Sequence, residues 1–213
     1  MTDLTIAGIG PTINDSTGRL TVPLMTVSAE PLTTSGLGAA SAATIVATEA
    51  GDGVWHRTTL TCTATAITIS DDAGVAQYGG VKVYDFPAGL INIQGAVIDG
   101  ALTAGVTGTI IAAFEGGVAL GTVTATTGAT LTSTEANIMP EVSTTTAAAK
   151  IAVCDAVSVA TALTESGARW LDGTATAIDM FLNFVIDDDA SHTAGTATFT
   201  GTITFIWANL GDK

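Results

Sequence analysis

Few residues in this chain could do chemistry. There are two histidines, His56 and His192, and two cysteines, Cys62 and Cys154. One stretch, VWHRTTLTCTATAITI (residues 54–69), gathers Trp55, His56, Arg57 and Cys62. A zinc site needs three or four His, Cys or acidic ligands converging on one point. On a strand, His56 and Cys62 share a face but stand about 20 Å apart at ~3.3 Å per residue, too far for one metal. No G-x-S-x-G elbow and no phosphate-binding G-x-x-x-x-G-K-[ST] loop occurs, and GIGPT and GLGAAS lack the third glycine of a dinucleotide fingerprint. Asp71-Asp72 and Asp187-Asp188-Asp189 are adjacent carboxylates. A glycoside hydrolase would need two carboxylates about 5–10 Å apart across a cleft, whereas neighbouring acids in a turn face water. Asp187, Asp188 and Asp189 form the one candidate metal site, a calcium loop built from carboxylate oxygens. It lacks the glycine spacing and distal glutamate of an EF-hand. Trp55 and Arg57 are candidate contacts to a neighbouring subunit. The alternative for them is an indole packed at a sheet edge beneath the arginine stem. No catalytic or cofactor-binding residue is assigned, no cofactor is expected, and the chain reads as a non-enzyme.

The composition says what must position these residues. Of 213 residues 47% are hydrophobic but only 5% aromatic, beside 24 glycines, so the apolar content is mostly small. Thr- and Val-rich runs broken by glycine read as many short strands. Charged residues make up 12%, with 20 acids against six bases for a net charge of -14. The six bases are scattered, which excludes the basic footprint that nucleic acid requires. No run of 18 apolar residues is present to cross a membrane as a helix, and MTDLTIAGIG lacks the basic region of a secretory leader.

Along the chain, LTIAGIG and GRLTVPLMTVSA read as two short strands around the turn NDSTG. Residues 1–50 read as an N-terminal arm with a small-residue segment, and residues 51–213 as the β-sandwich core. Deleting 1–50 is expected to leave that core folded. In residues 54–69 Leu60, Cys62 and Ala64 share one parity and the threonines the other, then Ile67 and Ile69 reverse it. A β-bulge near Ala64–Ala66 accounts for the switch. SDDAG (70–74) reads as a turn, Val81 to Gly100 as two strands about Pro87-Ala88-Gly89, and Glu115-Gly116-Gly117 as a hairpin turn. Residues 141–165 fit a short helix or strands equally. Residues 177–189 alternate Ile178, Met180, Leu182, Phe184 and Ile186 with Asp179, Asn183 and Asp187. Residues 196–213 alternate Phe199, Ile203, Phe205 and Trp207 with threonines. These two are expected to form a central antiparallel pair, and the fold class to be all-β: an antiparallel sandwich or jelly roll with an N-terminal arm.

The segments WHRTTLT (55–61), GVAQYGGVKVYDFPAGLINIQGAV (74–97), ALGTVTAT (119–126), LDGTATAIDMFLNFVIDDD (171–189) and GTITFIWANLGD (201–212) resemble tailed-bacteriophage virion structural proteins of the head decoration, or cement, type. The resemblance implies a sandwich or jelly-roll protein on the outer capsid surface, made in the host cytoplasm. It implies a homotrimer at three-fold positions whose partners are itself and the major capsid protein, with no nucleic acid or membrane partner. It carries over no catalytic residue. A fibre or receptor module that binds glycans is the competing reading, with a glycan-active enzyme behind it. Exposed aromatics converging on a groove would favour glycan binding, and a flat small-residue face would favour cement.

Overall fold

The computed structural model describes residues 12–14, 19–21, 38–51, 54–72, 76–104, 116–126, 130–144, 153–159, 170–187 and 194–211. The chain divides into two compact units, residues 1–30 and 31–213. In the first, β1 (Thr12–Asn14) pairs antiparallel with β2 (Arg19–Thr21), with Asn14 opposite Arg19. β2 falls within GRLTVPLMTVSA as expected, whereas β1 is Thr12–Asn14 and reaches the first residue of NDSTG; the expected strand at residues 4–10 and residues 15–18 lie outside the described residues.

The second unit is nearly all antiparallel β, one curled sheet of eleven strands. In chain order these are β3 (Ala39–Ala40), β4 (Ile45–Gly51), β5 (Trp55–Asp72), β6 (Ala76–Asp85), β7 (Gly89–Ala104), β8 (Gly116–Gly121), β9 (Met139–Thr144), β10 (Val153–Val159), β11 (Trp170–Gly173), β12 (Asp179–Asp187) and β13 (Gly195–Asn209). The main path runs β10-β7-β13-β5-β6-β12-β8-β9, with β11 on β7, β3 on β6 and β4 on β5. Phe184 on β12 and Phe199 on β13 have ring centroids 6.2 Å apart although β5 and β6 lie between their strands. The inner face is therefore concave, and it holds the main core: Leu60, Ile98, Leu182, Phe184, Phe199, Phe205 and Trp207 among others.

The bulge lies where the parity of the sequence reverses. Cys62 pairs with Gly201 and Thr65 with Phe199, so β5 holds one extra residue there. Ala64 takes a positive φ of 49°, and its N–H donates to Thr200 Oγ1 at 3.1 Å. Buried positions run 58, 60, 62 before it and 65, 67, 69 after it. Ala64 itself is exposed, and Thr65 takes the inward place expected of it. A second slip, between Ile206 and Trp207 on β13, marks an extra residue on β7 at Gln94–Gly95. It turns Ala96 and Ile98 inward and leaves Val97 exposed, where simple alternation from Ile93 put Val97 inside.

Several expectations are corrected. β12 and β13 do not pair. The order β13-β5-β6-β12 sets the β5–β6 hairpin between them, a Greek-key order with β7 to β11 inserted before β12. Length explains the choice: β13 has 15 residues and matches β5 (18) and β7 (16), while β12 has 9 and matches β6 (10). Matched lengths leave fewer backbone groups unpaired. Ser70 to Asp72 continue β5 instead of turning, and Gly116 and Gly117 begin β8 instead of a hairpin turn. Residues 141–144 and 153–159 are strand, not helix. The boundary at residue 50 also moves. β4 pairs with β5 over residues 56–62, β3 pairs with Asp85 and Tyr84 of β6, and Ile45 is buried. Residues 38–51 thus fill the fork where β5 and β6 separate beyond Ile69 and Gly79.

A small second cluster lies on the outer face of β8 and β12: Ala76, Ala119, Ala125, Leu131 and Val185. Asn183 seats the covering loop. Its Oδ1 accepts the Ala125 N–H at 2.9 Å, and its Nδ2 donates to the carbonyls of Val123 at 2.9 Å and Glu135 at 2.8 Å. Gly80 makes room, since a Cβ there would strike the Asn183 carboxamide and Thr124.

Candidate functional site

At one end of the sheet β5 and β13 carry different chemistry on their two sides. Trp207 pairs with His56, and Ala208 with Trp55. Successive side chains on a strand point to opposite faces, so His56 and Trp207 go inward while Trp55 and Ala208 go outward.

The inward side is a buried polar pocket. His56 stacks on Trp207 with centroids 4.2 Å apart and planes at 16°. Its Nδ1 lies 3.1 Å from Glu49 Oε1, contributed by β4. Trp207 Nε1–H donates to Thr58 Oγ1 at 2.8 Å. Tyr84 and Phe86 meet the indole edge-on at 6.4 Å and 5.3 Å, and Phe205 in turn meets both of those rings edge-on at 5.1 Å and 5.6 Å. Burial pushes the Glu49 carboxyl up to about 7, against the opposing pull of the Thr58 and Tyr84 hydroxyls. Burial, then the nearby Glu49 charge, raises the Tyr84 hydroxyl as well. Sequence reasoning missed Glu49, Thr58, Tyr84 and Trp207 as partners of His56. Cys62 is a buried free thiol whose pKa burial raises to about 11, a packing residue and not a nucleophile.

The outward side is charge-poor. Four cross-strand rows run over β4, β5, β13 and β7 or onto β11. They are Val46–Thr61–Thr202–Asp99, Thr48–Thr59–Thr204–Val97, Ala50–Arg57–Ile206–Gly95 and Trp55–Ala208–Asn92–Trp170. Asp99 and Arg57 are their only charges. Thr59 and Thr204 share a hydroxyl hydrogen bond of 3.1 Å. Beyond Val46 the threonines continue with exposed Thr63, Thr68, Thr103 and Thr200. At the opposite end the face turns apolar. Of the eight exposed large hydrophobics among the described residues, five gather there: Val54, Trp55, Trp170, Ile206 and Leu210. Trp55 and Trp170 are each 48% exposed at the two ends of one row. Between them lie Ala208, with no exposure, and Asn92, whose amide oxygen accepts from Gln94 Nε2. β5 is paired on both sides from His56 to Cys62, while Trp55, one residue earlier, is paired only on the β13 side, at the end of its row. Trp170 was not singled out from the sequence.

Of the acidic candidates, Asp71 is exposed on β5 and Asp187 ends β12. Asp188, Asp189 and His192 lie outside the described residues, and no group of three or more His, Cys, Asp or Glu is placed to hold a metal among the described ones. Asp85 and Asp179 lie together, but Lys82 joins them, 2.6 Å and 3.3 Å away. With Ser41 Oγ donating to Asp85 at 3.3 Å, this half-exposed cluster ties β6, β12 and the turn after β3. No helix is long and apolar enough to cross a membrane among the described residues. No family model, curated protein or solved structure matches the chain.

Proposed function

We propose that this protein is a structural component of a phage virion, a non-enzymatic decoration or cement protein that sits on the outer capsid surface and braces the shell, acting as a homotrimer at three-fold positions. The observation that carries this reading is the long, charge-poor threonine face of β5, β13 and β7 on a chain of net charge -14. An acidic chain repels its own copies and DNA except where a face carries little charge. An outer face of short hydroxyl side chains permits close backbone approach to a neighbour. The major capsid protein and other copies of the chain are the partners such a face would serve, and host cytoplasm is where the chain would be made. Residues 1–30, a compact unit of their own, are the arm in this reading. The finer fold assignment, a jelly-roll-like sandwich, is supported by the Greek-key order of β13-β5-β6-β12 and the concave core.

Purified protein mixed with undecorated heads and imaged should appear as trimers at three-fold positions. Adding Thr61→Glu and Thr202→Glu should abolish that binding without shifting the melting temperature. Binding to host cells with none to heads would sink the proposal.

A further inference from the structure

We propose that Glu49 and His56 form a proton-operated latch: the buried pair fastens β4 onto β5 in acid, and a rise towards neutral pH lets β4 open as a local unit while the rest of the sheet stays folded. The strand is built for this. Among the described residues β4 pairs with β5 alone, and β5 is held independently by β13 from Trp55 to Ile69. Of the seven residues of β4 only Ile45 and Glu49 are buried. One of its two inward anchors is therefore aliphatic and the other titrates.

The surroundings of Glu49 set the sign of the switch. Its Oε1 lies 3.1 Å from His56 Nδ1, and both side chains are buried. Thr58 of β5 stands opposite it, and Tyr84 of β6 faces it with a hydroxyl that burial keeps protonated. Behind the imidazole β13 presents Trp207, and β3 contributes only Ala39 and Ala40. Among the described residues no lysine or arginine pairs with Glu49, since Arg57 goes to the outer face. The indole accepts the imidazole above it charged or neutral, but a carboxylate here has no comparable support. Desolvation then favours the acid form, and burial pushes the Glu49 carboxyl up to about 7. Opening β4 returns that carboxyl to water and to its ordinary 4.5. Between those two values opening releases a proton, so each pH unit favours the open strand by up to roughly tenfold. Above about 7 the closed pocket has lost the proton as well, and the gain stops. Opening bares the β5 edge from His56 to Cys62 and takes Val46, Thr48 and Ala50 out of the outer rows.

The test is native-state hydrogen exchange on the full chain between pH 5 and 8, corrected for intrinsic rates and repeated in low denaturant. The β4 amides bonded to β5 should exchange through a local opening that denaturant does not promote, and β13 amides through a denaturant-sensitive one. From pH 5 to 7 the β4 opening constant should climb by up to roughly a hundredfold, then level off by pH 8. Glu49→Gln should make it flat. Glu49→Leu, which needs no proton, should be flat too and hold the strand more tightly. Three results overturn the proposal: β4 and β13 exchanging through one denaturant-sensitive opening, a wild-type β4 opening independent of pH, or a slope that survives both variants. The latch is read in the free protein and head binding on heads, so failure of the latch and failure of the decoration reading are distinguishable.

Discussion

Trp207 and Trp55 are one residue type on adjacent rows of the same two strands, yet they have opposite surroundings. Trp207 has no exposure, donates its N–H to Thr58 and carries His56 on its face. Trp55 is half exposed beside Ala208. The difference teaches that the amino-acid type does not set the role; strand parity does. Inward polar atoms must find partners because an unpartnered buried group costs roughly 1–3 kcal/mol. Outward aromatics that keep contact with water are under no such requirement.

The largest expected contrast is truncation. Trp207→Ala or Phe205→Ala should cost about 3–5 kcal/mol in denaturant unfolding. Trp55→Ala or Trp170→Ala should stay within about 0.5 kcal/mol. Equal losses on the two sides would erase the distinction between the inward pocket and the outward face.

Next comes Asn183. Asn183→Leu leaves the Ala125 N–H and the carbonyls of Val123 and Glu135 without their partner. A loss of about 2–3 kcal/mol is expected, with faster hydrogen exchange at Ala125. No change in either measurement would mean that the loop is held by its apolar contacts.

The pocket should also make stability depend on pH. Glu49 has a folded pKa of about 7 against an ordinary 4.5, so the folded protein holds this proton more tightly. Its contribution is fully present below pH 4.5 and is lost as pH rises through 7. The cost above pH 7 is on the order of 3 kcal/mol by linkage. Glu49→Gln should flatten the slope between pH 5 and 7 relative to wild type. A slope unchanged in that variant would place the titrating group elsewhere.

The smallest effect has the opposite sign. Gln77 is fully buried on β6, and neither amide atom is hydrogen-bonded among the described residues. Gln77→Met should be neutral or stabilise by up to about 1 kcal/mol, because the amide has nothing to lose. A clear loss of stability would reveal a partner such as ordered water.

How much of this was legible depends on range. The β5 bulge could be read because the switch from Cys62 to Ile67 is visible within one strand. The β7 bulge could not, because Val97 and Ile98 are both apolar and hide the change of parity. Alternation predicted the inward faces of β12 and β13 but carried no information about their partners, which lie far away in sequence. Glu49 stands alone in an Ala- and Thr-rich run that resembles a solvated arm. Only its pairing with β5, opposite Thr58, takes it inside. Trp55 and Arg57 were visible as candidate contacts; Trp170 became one only when β11 paired with β7 and placed it in the same row.

The position of β13 has a consequence for synthesis. It lies between β5 and β7 and contributes Phe199, Ile203, Phe205 and Trp207 to the core, yet it is translated after both partners. Until residues 195–209 leave the ribosome, β5 and β7 each lack a neighbour along most of one edge. Non-local pairing of this kind is slow, and open edges invite pairing between chains. The excess of acidic residues then acts during synthesis, keeping nascent copies on one message apart until the middle of the sheet is filled.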